Sequence, residues 1–552
     1  MRPILSFLAL LALAAPFEAF AQRYEPGPQV ATFFSLVDDS DQPYALYVPK
    51  NYNPSRAYPL VLSLHGAWSN HRLNLRRVFG QGNRPGEADF EATRYFPPLR
   101  DVDFIVASPW ARGTMGYQGI PEQDVWEVMA DVKKRFRIDE DRVYLTGLSM
   151  GGGGTLWLGL TRPDVWAAIA PVCPALPPGV DILAPNALNL PIHFFHGDAD
   201  PLVPVDVSRK WHARLRELGA PVQYAEYPGV KHNSWDNAYK NGAIFDWFAK
   251  HKRNRFPGRV RFVSDRHQYN SAYWVRLEGL TPGVAASMDA RFSGKNRIEI
   301  QTGQLDGFSL ALDGHPEYST REPLHVSIDG AALVLRPGAA AAFSKVEGRW
   351  TAAPYSRAAG EKRPGAEGPI GAAVSGRHIY VYGTADNPPA DELARRREMA
   401  QQASEWSTPR LRLTLNLRAL ADREVRDADL NGANLVLFGS RQTNRFVAKY
   451  ADRFPVELNS SAADYGLVFV YLVDGRYVVV NSGLPWWTGA ENAKRGLRFL
   501  PSKAQTLVTF GDFILFKGSL ENVVAEGRFD RHWKVPAEAA EKMKSTGTVT
   551  IR

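Results

Sequence analysis

Between Tyr44 and Trp247, short and nearly continuous apolar runs alternate with stretches whose apolar residues recur every three or four positions. The short runs read as strands buried on both faces, and the longer periodic stretches as helices that cover them. Strands are predicted from Pro59 to Leu64, Phe104 to Ser108, Arg142 to Thr146, Ala168 to Val172, Pro191 to His196 and Val222 to Tyr227. Helices are predicted from Glu122 to Phe136, Gly152 to Thr161, Val205 to Leu218 and Ala238 to Lys250. This alternation predicts a doubly wound α/β domain over residues 22–255 with a mostly parallel sheet.

After Lys250 the pattern changes. Runs from Tyr273 to Leu277, Arg297 to Gln301, Gly307 to Leu312 and His325 to Ile328 are separated by Gly, Pro and Asp turns without intervening helices. That spacing predicts a small antiparallel β module over residues 259–350. A stretch rich in Pro, Gly, Ala and charge, residues 351–367, reads as a linker. Strand-like runs return from His378 to Tyr382, Leu411 to Asn416, Asn434 to Phe438, Leu467 to Leu472 and Tyr477 to Val480, with a helical pattern from Ala390 to Trp406. Residues 368–552 therefore read as a second α/β unit, an accessory domain.

The N-terminus has its own pattern. A basic start at Arg2 precedes an apolar run from Ile4 to Pro16 and the small residues Ala19 and Ala21, which predicts a signal peptide over residues 1–21 and an exported protein, periplasmic or secreted. No later apolar run approaches the roughly 20 residues of a membrane helix, so no transmembrane anchor is expected. Cys173 is the only cysteine, which excludes an intramolecular disulfide and Cys-based metal sites. The 552 residues carry a formal charge of +8, but the positive residues are dispersed, and the longest run, Arg395-Arg396-Arg397, falls in a helical pattern. A solvated face is expected there, not a nucleic-acid surface.

The chemistry concentrates in the first domain. Gly147-Leu148-Ser149-Met150-Gly151 lies directly between a predicted strand and a predicted helix. So tight a turn strains Ser149, exposes its hydroxyl at the sheet edge and needs glycine on either side, where a Cβ would collide with the neighbouring strand and helix. A serine hydroxyl is a poor nucleophile unless a histidine takes its proton and a carboxylate orients that histidine. The loop after His196-Gly197 offers Asp198 and Asp200; Asp200 stands beyond the turn, whereas Asp198 is placed to bond local backbone. His232 sits on the loop after the next strand. His65 and His196 read as structural supports beside these loops. Two amides must face a developing oxyanion: Met150 after the nucleophile, and Ala67, with Trp68 next in line, in the loop His65-Gly66-Ala67-Trp68. Trp68, Trp110, Tyr117 and Trp235 are the aromatic candidates for holding a substrate.

Four segments in order, Leu64 to Ala67, Arg142 to Gly152, His196 to Pro204 and Tyr227 to Asn233, resemble the α/β-hydrolase superfamily, and within it polyhydroxybutyrate depolymerase, feruloyl esterase and prolyl oligopeptidase-like catalytic domains. The resemblance spans Tyr44 to Lys250, under half of the chain. It implies an α/β-hydrolase sheet and serine hydrolysis through an acyl-enzyme, with Ser149, Asp200 and His232 as the catalytic triad. The chain departs from lipases in reading His-Gly-Ala-Trp at the oxyanion loop and in having only Cys173 to Leu190 where caps insert. The site is thus expected to be open and to take a bulky or polymeric ester, a polysaccharide or polyester carrying acetyl, feruloyl or hydroxyalkanoate groups. A peptidase of the prolyl oligopeptidase clan and a non-catalytic binding protein on the same scaffold are the rival readings. No dinucleotide fingerprint Gly-x-Gly-x-x-Gly is found and no metal-ligand spacing stands out, so neither cofactor nor metal is expected.

Overall fold

The computed structural model describes residues 24–409, 412–490 and 502–552; the expected leader, 1–21, lies outside them. The first unit is built on eight strands: β1 (Gly27–Ser35), β2 (Ser40–Val48), β3 (Tyr58–Leu64), β4 (Ile105–Pro109), β5 (Ile138–Leu148), β6 (Ala168–Val172), β7 (Ile192–Gly197) and β8 (Val222–Tyr227). They are ordered β1-β2-β4-β3-β5-β6-β7-β8. The β1–β2 hairpin is antiparallel and β2 pairs antiparallel with β4, while every pair from β4 to β8 is parallel. All residues of β3, β4 and β6 are buried, as strands covered by helices on both faces must be.

The edge hairpin begins ahead of the first predicted strand. The helix expected over Ala238 to Lys250 is broken. A turn of helix at Trp235–Ala238 and a helix at Ala243–Phe248 are separated by Asn241 and Gly242, both left-handed at φ 54° and 69°. The periodicity is continuous, but an Asn-Gly pair readily adopts a conformation that ends a helix.

The second unit packs two five-stranded sheets face to face around Phe262, Trp274, Ile300, Phe308 and Phe343. One pairing departs from the antiparallel expectation. Arg297–Gly303 and Leu324–Ile328 run parallel, because the chain between them crosses to the opposite sheet through Gly307–Leu310 before returning.

The third unit centres on a seven-stranded sheet in the order Arg418–Ala421, His378–Tyr382, Asn434–Phe438, Arg476–Gly483, Tyr465–Val473, Phe513–Lys517, Val523–Gly527. Its first three pairings are parallel and its last three antiparallel. Of the strand expected from Leu411 to Asn416, Leu411 lies outside the described residues, residues 412–416 hold only an isolated bridge, Thr408 to Leu413, and the strand that joins the sheet is Arg418–Ala421.

The three units share interior. Val37, Met115 and Ile120 of the first belong to the hydrophobic core of the third, and Tyr269 of the second belongs to the core of the first. Arg112 is fully buried and binds Asp124 and Asp38 at 2.8 Å and Ser35 Oγ at 2.6 Å, joining the β1–β2 turn to the helix Ile120–Arg135. Asp38 also accepts the Asn416 amide at 3.1 Å, which carries the network into the third unit.

The segment read as a linker is a packed strap. Lys362 is buried, with its ammonium on Asp512 and on the Phe529 carbonyl, and Glu367 accepts the amides of His267 and Gln268. Its composition resembles a linker, yet it buries Lys362 against Asp512 and Glu367 against two backbone amides. Removing one partner of such a pair strands a charge and costs about 3–5 kcal/mol, whereas replacing both by apolar groups is close to neutral. Lys362→Met is accordingly expected to lower the thermal unfolding midpoint markedly, and Lys362→Met with Asp512→Leu to recover most of it, as read by circular dichroism.

Candidate active site

Ser149 lies between β5 and the helix Met150–Thr161 with φ 55° and ψ −115°, a conformation that costs about 1–3 kcal/mol and persists only where its surroundings impose it. Here the surroundings are backbone. A Cβ on Gly147 would lie 2.4 Å from the Gly151 carbonyl oxygen, and one on Gly151 only 2.2 Å from that of Leu64. On Gly153 it would meet the Ala175 carbonyl oxygen at 1.8 Å. The helix can approach the strands this closely because its first turn carries no side chains at the contact. The Ser149 amide donates to the Val172 carbonyl at 2.9 Å, and the Ser149 carbonyl accepts the amides of Gly153 and Ala175, both at 3.0 Å.

Three loops at the C-terminal ends of β5, β7 and β8 bring polar side chains into line. The Ser149 hydroxyl is 3.0 Å from His232 Nε2, and His232 Nδ1 is 2.7 Å from Asp200 Oδ2. A carboxylate facing Nδ1 accepts a hydrogen bond from the ring N–H there, which fixes the proton on Nδ1 and leaves the Nε2 lone pair for the hydroxyl. Asp200 Oδ1 accepts the amides of Leu202 and Val203 at 2.8 and 3.0 Å. Burial alone would raise the Asp200 carboxyl, but these amides and His232 outweigh it and hold it below its ordinary value. It is thus anionic whenever His232 needs orienting.

Behind Asp200 lies His196, buried and pushed by desolvation below the usual imidazole range, and so neutral. Its Nδ1 is 2.8 Å from Ser208 Oγ, which leaves Nε2–H to donate to the Val203 carbonyl at 3.0 Å and toward Asp200 Oδ2 at 3.2 Å. Asp198 accepts the Gly229 amide at 2.7 Å and so bonds backbone between two loops.

The loop after β3 comes up beside Ser149; a Cβ on Gly66 would be 3.5 Å from that of Ser149. Trp68 is left-handed, at φ 59°, and 53% exposed. Its amide is committed to the buried Thr114 Oγ1 at 2.7 Å, so Trp68 has no free amide to offer an oxyanion. Met150 opens its helix, where an amide has no intrahelical acceptor. Thr114 is invisible to sequence reasoning, since nothing in its neighbourhood marks it as facing a loop 46 residues earlier.

The aromatic candidates divide. Trp235 stands edge-on to the His232 ring at 5.5 Å, half-buried, with the Arg77 guanidinium 5.2 Å from its ring centre. Trp68 presents its indole to solvent beside the serine loop. Trp110 stacks on His65 at 5.7 Å and meets His71 edge-on. Tyr117 must be corrected: it is buried, its ring fills the space where Gly154 lacks a Cβ, and its hydroxyl donates to the His65 carbonyl at 3.1 Å. It supports the loop from beneath and offers no face to a substrate.

Cys173, an Asp200 oxygen and a His232 nitrogen lie within 4.8 Å of one another. These donors do not suit a cation, because burial pushes the Cys173 thiol up to about 12, leaving it protonated, and Nδ1 and Asp200 already bond each other.

A family model described as Phospholipase/Carboxylesterase matches residues 126–243. Feruloyl esterase D of Neurospora crassa is 23% identical over 220 residues, 38% of this chain and 71% of that protein. Acyl-protein thioesterase 1 of Gibberella zeae is 31% identical over 99 residues, 17% of this chain and 42% of that one. The chain therefore spans under half the length of the thioesterase. Among solved structures, a thermostable esterase is similar with 30% identity and a TM-score of 0.33, over 41% of this chain and 63% of that one.

Thr114→Val removes the only side-chain acceptor of the Trp68 amide while keeping the shape. Labelling of Ser149 by a fluorophosphonate is expected to slow by about tenfold, a fraction of what losing a whole oxyanion donor costs, with the thermal midpoint little changed.

Proposed function

We propose that this chain is an α/β-hydrolase over residues 22–255 and an exported carboxylic ester hydrolase that works through an acyl-enzyme on Ser149. The observation that carries the reading is the line of hydrogen bonds from Ser149 through His232 to Asp200, at 3.0 and 2.7 Å. In this reading His232 Nε2 takes the hydroxyl proton as Ser149 Oγ attacks the ester carbonyl carbon. Asp200 holds the ring in the tautomer that can accept it and stabilises the imidazolium. The oxyanion is met by the amides of Met150 and Ala67, each worth on the order of 3–4 kcal/mol in such a role. His232 then returns the proton to the departing alcohol, and a water, activated in the same way, hydrolyses the acyl-enzyme.

The substrate reading is an ester of a bulky or polymeric alcohol, with acetyl, feruloyl or hydroxyalkanoate as the acyl group. Its support is the exposed Trp68 and the half-buried Trp235 flanking the serine, and a relative named feruloyl esterase. Domain limits at 22–255, 259–350 and 368–552 are part of the same proposal, the second a β module and the last an accessory domain.

A fluorophosphonate probe is expected to label the wild type and not Ser149→Ala, and the variant's kcat to fall by about 10^6 on any ester turned over. Activity near wild type in Ser149→Ala would refute the assignment. Failure of the folded wild type to label would favour a non-catalytic scaffold. Comparing acetyl, feruloyl and hydroxyalkanoate esters with a prolyl peptide separates esterase from peptidase; faster cleavage of the peptide would overturn the ester reading.

A further inference from the structure

A cavity of about 650 Å³ lies not at Ser149 but where the three units meet. Its walls come from the helix Ile120–Arg135 and Arg162 of the first unit, Arg266 to Tyr269 of the second, and Gly368 to Ser375, Phe510 and Arg528 of the third. Its size is that of a small-molecule site.

Three guanidinium groups line it, and they are not equivalent. Arg266 is paired with Asp265, at 2.8 and 3.2 Å. Arg162 and Arg528 have no ion-pair or hydrogen-bond partner for their side chains among the described residues, and Arg162 Nε and Arg528 Nη1 are both out of contact with solvent and without an acceptor. A buried donor left unmade costs about 1–3 kcal/mol, and more for a charged group, so two in one cavity call for an acceptor.

The carboxylates nearby cannot supply it. Glu122 is occupied by the Tyr269 hydroxyl at 2.8 Å, Trp157 Nε1 at 2.9 Å and Trp126 Nε1 at 3.4 Å. Burial raises its carboxyl above the ordinary range. Glu367 is spent on two backbone amides and is pushed by burial up to about 7, and Asp265 is spent on Arg266. Glu127 is exposed at the rim. None of these carboxylates meets Arg162 Nε or Arg528 Nη1, which stay open donors. Arg162 packs on aromatic rings, its guanidinium 5.4 Å from the centre of the Trp126 ring and 5.9 Å from that of Tyr269.

We infer that this junction cavity binds a small organic carboxylate, the acid seated on Arg162 and Arg528. A guanidinium fork matches a carboxylate in two parallel hydrogen bonds. The site is separate from Ser149 and does not depend on the ester reading. Because its walls come from all three units, an occupant also fixes their relative placement.

The test is isothermal titration of the full chain carrying Ser149→Ala, so that no probe is turned over, with glucuronate and ferulate as acids and glucose and methyl ferulate as their neutral counterparts. At least one acid is expected to bind at least about tenfold more tightly than its neutral counterpart, and Arg162→Gln and Arg528→Gln are each expected to weaken it by about tenfold or more. Binding of glucuronate alone would identify a sugar acid, and of ferulate alone a phenolic acid. The proposal is overturned if neither acid binds at concentrations up to about 10 mM, if acid and neutral forms bind alike, or if binding survives both substitutions. Should Arg528→Gln fail to fold, Arg162→Gln, at the rim of a helix in the first unit, carries the test.

Discussion

The contact on which the rest depends is one of backbone against backbone. The first turn of the helix after β5 lies so close to the carbonyls of Leu64, Val172 and Ala175 that no side chain fits between. The glycines from Gly151 to Gly153 are what allow it, and the unfavourable backbone of Ser149 is what it imposes. A hydroxyl fixed in this way needs no reorganisation to face His232, and strain held by packing is free to serve as pre-organisation. The same closeness brings the loop after β3 alongside, since Gly66 could not carry a side chain without striking Leu148.

Around this centre the support is layered. His196 and two amides fix Asp200, Asp200 fixes His232, Thr114 fixes the backbone of Trp68, and Tyr117 holds the His65 carbonyl from below. Thr114 and Tyr117 lie on the loop after β4, which is itself pinned by buried Arg112 and pressed against Arg412 of the third unit. There a Cβ on Gly113 would come within 2.2 Å of a carbonyl oxygen. The C-terminal unit is thus two contacts away from the loop after β3, through Gly113 and then through Thr114 on Trp68.

Much of this was legible in the sequence, for reasons that differ by residue. That Ser149, Asp200 and His232 come together could be expected because each follows a short apolar strand and sits in a local pattern whose spacing is dictated by the turn itself. The division between Asp198 and Asp200 was legible for the same reason. Tyr117 misled because an aromatic in a loop looks the same whether it faces solvent or, as here, fills the gap left by a glycine 37 residues later in the chain. The break at Asn241-Gly242 was hidden by unbroken periodicity, and the parallel pair in the sandwich by a crossover that no local pattern records. Residues 351–367 have the composition of a linker, and composition does not say whether a lysine will find a buried aspartate 150 positions away.

The sharing of Val37, Met115 and Ile120 between the first and third units bears on how such a chain can be cut and recombined. A hydrolase module excised at its apparent C-terminal border would carry into water a patch that evolved as interior. The isolated fragment would be sticky where the whole protein is dry. Swapping the accessory half for another would require matching that patch, so the architecture constrains modular shuffling more tightly than its bead-like order along the chain suggests.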